Sequence, residues 1–441
     1  MKTLLTNAFV VTVDDMFTCH ADGAVLIDGG RIAYVGPGSG APPAPDAARH
    51  DLGGAVVMPG LVNTHTHGGL CLHRGCCDDG DLFQWAAALA PTTSTITPRG
   101  NEDGCTLAIL EMVRGGITTA CDCARYGAGT FSAVASRVGM RSLSGAMANS
   151  PALRRAGAPN WPSMIAETEA AMAARAGDGL SSFYLGAHSP YNCTPELLVE
   201  VKRAADARGL PFVIHAAENR KETEMVLERH GRRPIGHLAG LGVLDRATIL
   251  AHCVQVDDDD MDIIATTGAG VAHNPISNAK LASGIAPIVA LRRRGVPVGL
   301  GTDSSLSNNA LNLFQEMKFA VLLQRLATLD GYALTARDAL AMGTREGARS
   351  LGLARETGSL EAGKRADLIV LDLFHPLGMT AERAISDIVF AASPQHVRSV
   401  IVEGRTIFDR GRFARVDEDA IRAEIRARHA DAQPVPRSNE P

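Results

Sequence analysis

The sequence predicts an α/β protein: a (β/α)8 TIM-like barrel with a small β-sandwich domain built from both chain ends. Three observations carry that reading. Eight short apolar runs, each followed by a helix-like stretch, fill the middle of the chain. Between His67 and Asp303 the run ends recur about every 34 residues, the length of one βα unit. Both termini, by contrast, show short β-rich runs punctuated by Gly-containing turns. An open doubly wound sheet is the competing architecture, since strand count alone does not separate the two.

The N-terminal elements come first. Phe9-Val10-Val11-Thr12-Val13 and Ala24-Val25-Leu26-Ile27 are strand-like, and Asp28-Gly29-Gly30 before Arg31–Val35 is a hairpin signal. The same texture returns late. Ala366–Leu371 and Val397–Val402 read as strands, and Glu403-Gly404 as a tight turn before Thr406-Ile407-Phe408. The eight central runs are Val56–His67, Gly116–Cys123, Arg141–Asn149, Phe183–His188, Pro211–Glu218, Ile249–Cys253, Gly270–Asn274 and Val296–Asp303. Asp417–His429 alternates charge with Ala and Ile like a surface helix, and Gln433–Pro441 reads as a loose tail. The expected division is 1–57 and 358–415 for the two halves of the sandwich, 58–357 for the barrel, and 416–441 for the terminal helix and tail.

Composition bounds the function. The 441 residues carry 43 basic and 48 acidic side chains, a net charge of -5, with 4% aromatics. A dedicated nucleic-acid binder would show a basic excess or stacking aromatics, so none is expected. No apolar run reaches the ~18 residues of a membrane span. Met1–Thr12 lacks the apolar core of a signal peptide. The nine Cys have no framework or CxxC spacing and read as reduced thiols of a cytoplasmic protein. Cys71, Cys76 and Cys77 lie near the first histidines, but their spacing fits no metal motif, and free Cys commonly packs as a small hydrophobe. Asp257–Asp260 reads as a helix N-terminus, where carboxylates suit the dipole, and Arg292-Arg293-Arg294 as a solvated helix end.

Ionisable residues collect where the apolar runs stop. The first run ends in His65-Thr66-His67, and residues two apart on a strand share a face, so both imidazoles face one way: a metal half-site. The fifth run gives His215 and Glu218, the sixth His252, the eighth Asp303. Strand C-termini of a barrel converge on one mouth. Buried ionisable groups without partners cost several kcal/mol, roughly 2–7 even for a neutral polar group. Their convergence therefore points to a compensating cation.

The constellation closely resembles the amidohydrolase superfamily, in its metal-dependent aminohydrolase branch of S-adenosylhomocysteine/methylthioadenosine deaminase, cytosine deaminase and triazine hydrolases. The motifs run over nearly the whole chain. They are MPGLVNTHTH at 58–67, LHRG at 72–75, GAHSPYNCTPELL at 186–198, HAAENRKE at 215–222 and AHCV at 251–254. AHNPISNAKLASGIAPI at 272–288, GTDSSLSNN at 301–309 and GSLEAGKRADLIVLD at 358–372 complete the set.

The resemblance implies roles. His65, His67, His215 and Asp303 match the ligands of one divalent metal, zinc foremost and iron as the alternative. His252 matches the residue that hydrogen-bonds the attacking water. Glu218 matches the acid that shuttles protons, and Asp303 serves as ligand and base. His188 matches a residue near the substrate. Binuclear relatives use a carboxylated Lys after strand four, and Phe183–Pro190 holds no Lys, which fits a single ion. In the nucleoside deaminases an acidic residue precedes a Trp and binds ribose; here Gln84 precedes Trp85. A second Arg expected beyond Arg141 is replaced by Gly145-Ala146-Met147. Both departures point away from S-adenosylhomocysteine.

The implied activity is a metal-dependent hydrolytic deaminase of an amino-substituted nitrogen heterocycle, with hydroxide attacking the ring carbon and ammonia leaving. The alternatives are a triazine-type hydrolase releasing chloride or alkylamine, and S-adenosylhomocysteine/methylthioadenosine deaminase itself. A non-catalytic scaffold would have lost ligands, whereas all four and Glu218 are present. The expected partner is a small heterocycle, with no nucleic acid and no membrane. The resemblance further implies a homo-oligomer, dimer or tetramer.

Overall fold

The structure is a computed structural model that describes residues 2–124, 127–150 and 160–430. The N-terminal strands are β1 (Lys2–Val11), β2 (Cys19–Asp28), β3 (Arg31–Pro37), β4 (Ala48–Asp51) and β5 (Val56–Pro59). The central strands are β6 (Leu61–Thr66), β7 (Ile117–Ala124), β8 (Arg141–Ala148), β9 (Ser181–Phe183), β10 (Leu185–Ala187), β11 (Phe212–Ala216), β12 (Thr248–His252), β13 (Gly270–His273) and β14 (Val298–Leu300). The chain returns with β15 (Leu368–Leu371), β16 (Val397–Val402), β17 (Arg405–Asp409) and β18 (Arg412–Phe413).

The central strands are all parallel, in the order β14-β13-β12-β11-β10-β8-β7-β6, with β9 beside β8. The two ends of that path meet. Thr66 bridges Asp303, and the Asp303 amide donates to the His65 carbonyl at 2.9 Å. This closure selects the barrel over the open sheet. All eight expected runs supply a strand. The first divides at Gly60, its Val56–Pro59 half pairing in the other sheet. Alternate residues (Val62, Cys121, Leu143, Val213, Ile249, Ala272) fill the barrel interior, while their neighbours pack outward against the helices.

The terminal strands form one continuous mixed sheet, β18-β17-β16-β15-β5-β1-β2-β3, with β4 on β1. The two chain ends join where β15 runs antiparallel to β5, Leu368 opposite Pro59 and Leu371 opposite Val56. Arg31 also bridges Arg365, so the sheet curls back on itself around Leu5, Val10, Val25, Ile27, Val370 and Ile401. Both predicted turns are two-residue hairpins. Gly29 and Gly30 have φ of 56° and 86°, and Glu403 and Gly404 have φ of 50° and 68°. This left-handed pair matches strand twist.

Arg141, at the start of β8, fastens the sheet to the base of the barrel. Its guanidinium meets Asp367 at 2.8 Å, Glu403 at 2.6 Å and the Gly179 carbonyl at 2.7 Å. The position is at the end of the barrel opposite the mouth. Asp417 caps the helix Glu418–Arg428, as the charge pattern predicts. Asp257 caps the helix Asp258–Thr267 through a reciprocal capping box, and Arg292-Arg293 end the helix Ile288–Arg293. The tail Gln433–Pro441 lies outside the described residues. No helix among them is long and apolar enough to cross a membrane.

Candidate active site

The C-terminal strand ends bring the predicted residues together. His65 is the last residue but one of β6 and His67 follows that strand; His215 lies on β11, His252 ends β12, and Asp303 follows β14. His252 and Asp303 have φ of 78° and 54°, and Ala217, beside Glu218, has 53°. Left-handed backbone at three such positions is a strain that surrounding contacts must hold. Here backbone amides do so: Cys253 donates to the Ala216 carbonyl at 3.1 Å, and Val254 and Gln255 to that of Ala217 at 2.9 and 2.7 Å. The loops carrying Glu218 and His252 are thereby locked to each other.

Two overlapping groups of ligand atoms lie within 4.8 Å of one another: His65, His67 and Asp303, and His65, His215 and His252. Hydrogen bonding fixes which ring atoms face inward. His67 Nδ1 lies 2.6 Å from the Cys123 carbonyl and His215 Nδ1 2.6 Å from the His188 carbonyl. A carbonyl only accepts, so both Nδ1 atoms carry the hydrogen and both Nε2 atoms present lone pairs. Those two Nε2 atoms are 3.3 Å apart. His65 Nε2, fully buried and without a hydrogen bond, stands 3.5 Å from Asp303 Oδ1, as does His67 Nε2. Lone pairs facing each other in a dry interior repel unless a cation lies among them. Three imidazoles and a carboxylate are also the donor set that suits a divalent ion such as zinc. The residues present fit such an ion.

Electrostatics support the same reading. Burial holds His65 below the usual imidazole range, and burial with the neighbouring rings holds His215 well below it. Both rings are therefore held toward the neutral form, the form that can ligate a cation. Burial opposes the Asp303 charge, but the adjacent imidazoles outweigh it and keep the carboxyl well below its ordinary value. Ser277 and Ser307 hydroxyls donate to Oδ2 at 2.6 and 2.9 Å, and the Ser304 amide to Oδ1 at 2.7 Å. Burial pushes Glu218 up to about 7, against the pull of His252. Burial disfavours charge on His252, yet the Glu218 and Asp303 carboxylates raise it. His252 Nδ1 is held by Asn278 Oδ1 at 2.9 Å, leaving Nε2 3.6 Å from Glu218.

These groups floor a cavity of about 400 Å³, within the range of small-molecule sites. His188 and Trp85 line it with His67, His215, Glu218, His252 and Asp303. His65 lies behind that wall. Gln84 stands apart: it is exposed, and its amide oxygen accepts from the Asp81 amide at 3.0 Å in a capping box, outside the cavity wall. Cys76 and Cys77 pack with Leu70, Leu89 and Trp85, as small hydrophobes do.

Sequence reasoning missed several contributors. The outer wall is apolar: beside the expected Trp85 stand Leu89 from the same helix Leu82–Ser94, and Trp161 and Met164 from Trp161–Ala174. Nothing in the order of residues announces which helix faces line a mouth. Glu222 accepts from the Ala217 and Glu218 amides at 3.1 and 2.7 Å; its signal was a second Glu four residues after the first in HAAENRKE.

Comparison with known proteins agrees. A model of the amidohydrolase family matches residues 56–407. The 5-methylthioadenosine/S-adenosylhomocysteine deaminase of Syntrophobacter fumaroxidans is 38% identical over 428 residues, 96% of each chain. An adenosine deaminase structure from Xanthomonas campestris, with bound zinc, superposes with a TM-score of 0.90 at 32% identity, covering 96% of this chain and 97% of that one. Atrazine chlorohydrolase from Arthrobacter aurescens, complexed with zinc, shares the fold at a TM-score of 0.87 and 22% identity, covering 98% and 100%.

Proposed function

The chain belongs to the amidohydrolase family, and from that premise we propose that it is a metal-dependent hydrolytic deaminase of an amino-substituted nitrogen heterocycle, releasing ammonia. One observation carries the reading. The Nε2 lone pairs of His67 and His215 face each other at 3.3 Å, beside a buried carboxyl whose proton is held to about pH 7, all in one small-molecule cavity. A cation site and a proton donor that operates at neutral pH are the two parts this hydrolysis needs. The names of the relatives, deaminases of adenosine-type substrates, support an aminopurine as the ring.

In this reading His65, His67, His215 and Asp303 hold one divalent ion, zinc by analogy with the zinc-bound structural neighbours. Such an ion, when bound, lowers the pKa of water toward neutrality and so supplies a nucleophile. The chain's own groups do the rest. Asp303, its Oδ2 held by two serine hydroxyls, keeps Oδ1 toward the ion, and its carboxylate takes a proton from the attacking water on the oxygen that does not ligate. His252, fixed through Nδ1 by Asn278, directs Nε2 at the reacting oxygen. Glu218 carries a proton at neutral pH, gives it to a ring nitrogen as the adjacent carbon is attacked, regains the proton that Asp303 took from the attacking water, and passes it to the departing amine. The His188 ring, 5.0 Å from that of His215, and Trp85 bound the space for the heterocycle.

The test is an ammonia-release screen of the zinc-loaded enzyme over purines, nucleosides, pterins, pyrimidines and triazines, with chloride release on halogenated rings in parallel. Ammonia from an amino heterocycle is the expected result. Release of chloride or alkylamine alone would replace deamination by the triazine-type reaction.

A further inference from the structure

Cys123 ends the barrel interior on β7, fully buried, and touches both histidines of the first strand. Its backbone carbonyl accepts from His67 Nδ1 at 2.6 Å. Its Sγ lies 3.3 Å from His65 Nδ1. Among the described residues no other side chain or backbone group hydrogen-bonds His65 Nδ1. The opposite ring atom, His65 Nε2, is buried, lacks a hydrogen bond, and points at the Asp303 carboxylate.

A ligating imidazole must present one lone pair and park its hydrogen on the other nitrogen. The partner of that second nitrogen sets both the tautomer and the ring angle. His67 and His215 use main-chain carbonyls, which no side-chain substitution removes. His65 uses a thiol. We propose that Cys123 is the positioning residue of the metal centre, its carbonyl turning His67 Nε2 inward and its sulfur, accepting from Nδ1–H, doing the same for His65. One residue on the second strand thus aligns two of the four candidate ligands, and only one of those two alignments depends on its side chain. The inference rests on the metal-centre reading above.

Packing and positioning predict opposite orders among substitutions. If the thiol only fills space, Cys123→Val, apolar and of similar bulk, behaves as the wild type and Cys123→Ser is the worse variant. If the sulfur positions His65, Cys123→Ser retains an acceptor for Nδ1–H, whereas Cys123→Val has none. The experiment measures zinc affinity of the full chain by chelator competition, with the visible spectrum of the cobalt(II)-substituted protein reporting coordination geometry. The expected result is zinc bound about 10–100-fold more weakly by Cys123→Val, the usual cost of losing such a partner. Its cobalt bands shift, while Cys123→Ser stays within about threefold of the wild type on the same scale. Wild-type affinity and spectrum in Cys123→Val, or a larger loss in Cys123→Ser than in Cys123→Val, overturns the inference. A wild-type chain that takes up no stoichiometric zinc or cobalt overturns the metal-centre reading itself, and the inference with it.

Discussion

Glu218 Oε2 and His252 Nε2 lie 3.6 Å apart, on loops whose backbones are hydrogen-bonded to each other and whose side chains are both buried. The pair shares the proton economy of the cavity floor: burial raises Glu218 to about 7, and the Glu218 carboxylate in turn raises His252. Glu218 belongs to neither group of potential ligand atoms, so proton transfer and metal binding can be separated by substituting Glu218.

Glu218→Gln keeps size and hydrogen-bonding capacity but cannot shuttle a proton. Turnover of whichever heterocycle the screen identifies is expected to fall by about 10²–10⁴-fold, the usual worth of general acid–base catalysis. Metal content measured on the same sample is expected to match the wild type. Near-wild-type turnover would remove Glu218 from the mechanism.

Asp367→Ala tests the joint between sheet and barrel. Asp367 is fully buried against Arg141, itself 6% exposed. Removing Asp367 takes one of two carboxylates from a buried guanidinium that keeps Glu403, at a cost of about 1.5–3 kcal/mol, the worth of a hydrogen bond to a charged group. Urea unfolding measures the loss. Because the pair sits at the far end of the barrel from the mouth, zinc affinity is expected to be unchanged. A stability change under 1 kcal/mol, the level of an exposed pair, would contradict a buried joint.

Glu316 gives a pH signature. It is 0% exposed, and burial lifts its carboxyl to about 8. It accepts from Asn308 Nδ2 at 2.6 Å and the Ile276 amide at 3.2 Å. A carboxyl whose folded value is raised stabilises the protein most below its unfolded value, roughly 4.3, and that contribution is lost as pH rises through about 8. Glu316→Gln has no proton to lose. Its stability deficit relative to the wild type is therefore expected to shrink as pH goes from 6 to 9, followed by thermal melts. A deficit constant over that range would show that Glu316 does not titrate there.

Much of this was legible in the chain. Gly29-Gly30 and Gly404 announced their hairpins because left-handed backbone favours glycine. The HxH pair, His215, His252 and Asp303 stood at the ends of apolar runs, and a barrel brings all such ends to one face. Other features needed coordinates. Gln84 sits in the position expected to face a ribose, yet it serves as the reciprocal half of the cap on its own helix, a local bond that competes with any outward role. Cys123 looked like any buried thiol, since its relation to His65 is a contact between neighbouring strands, not a spacing within one. The apolar mouth around Trp161 and Leu89 depends on how two helices lean over the barrel, which periodicity does not encode.

The central claim is that three imidazoles and one carboxylate share a single divalent ion. A crystal of the zinc-loaded chain, measured on both sides of the zinc absorption edge, tests it most directly. The account predicts one strong anomalous peak about 2.0–2.2 Å from the Nε2 atoms of His65, His67 and His215 and from Asp303 Oδ1. No peak there, or one bound by a different set of residues, would contradict it.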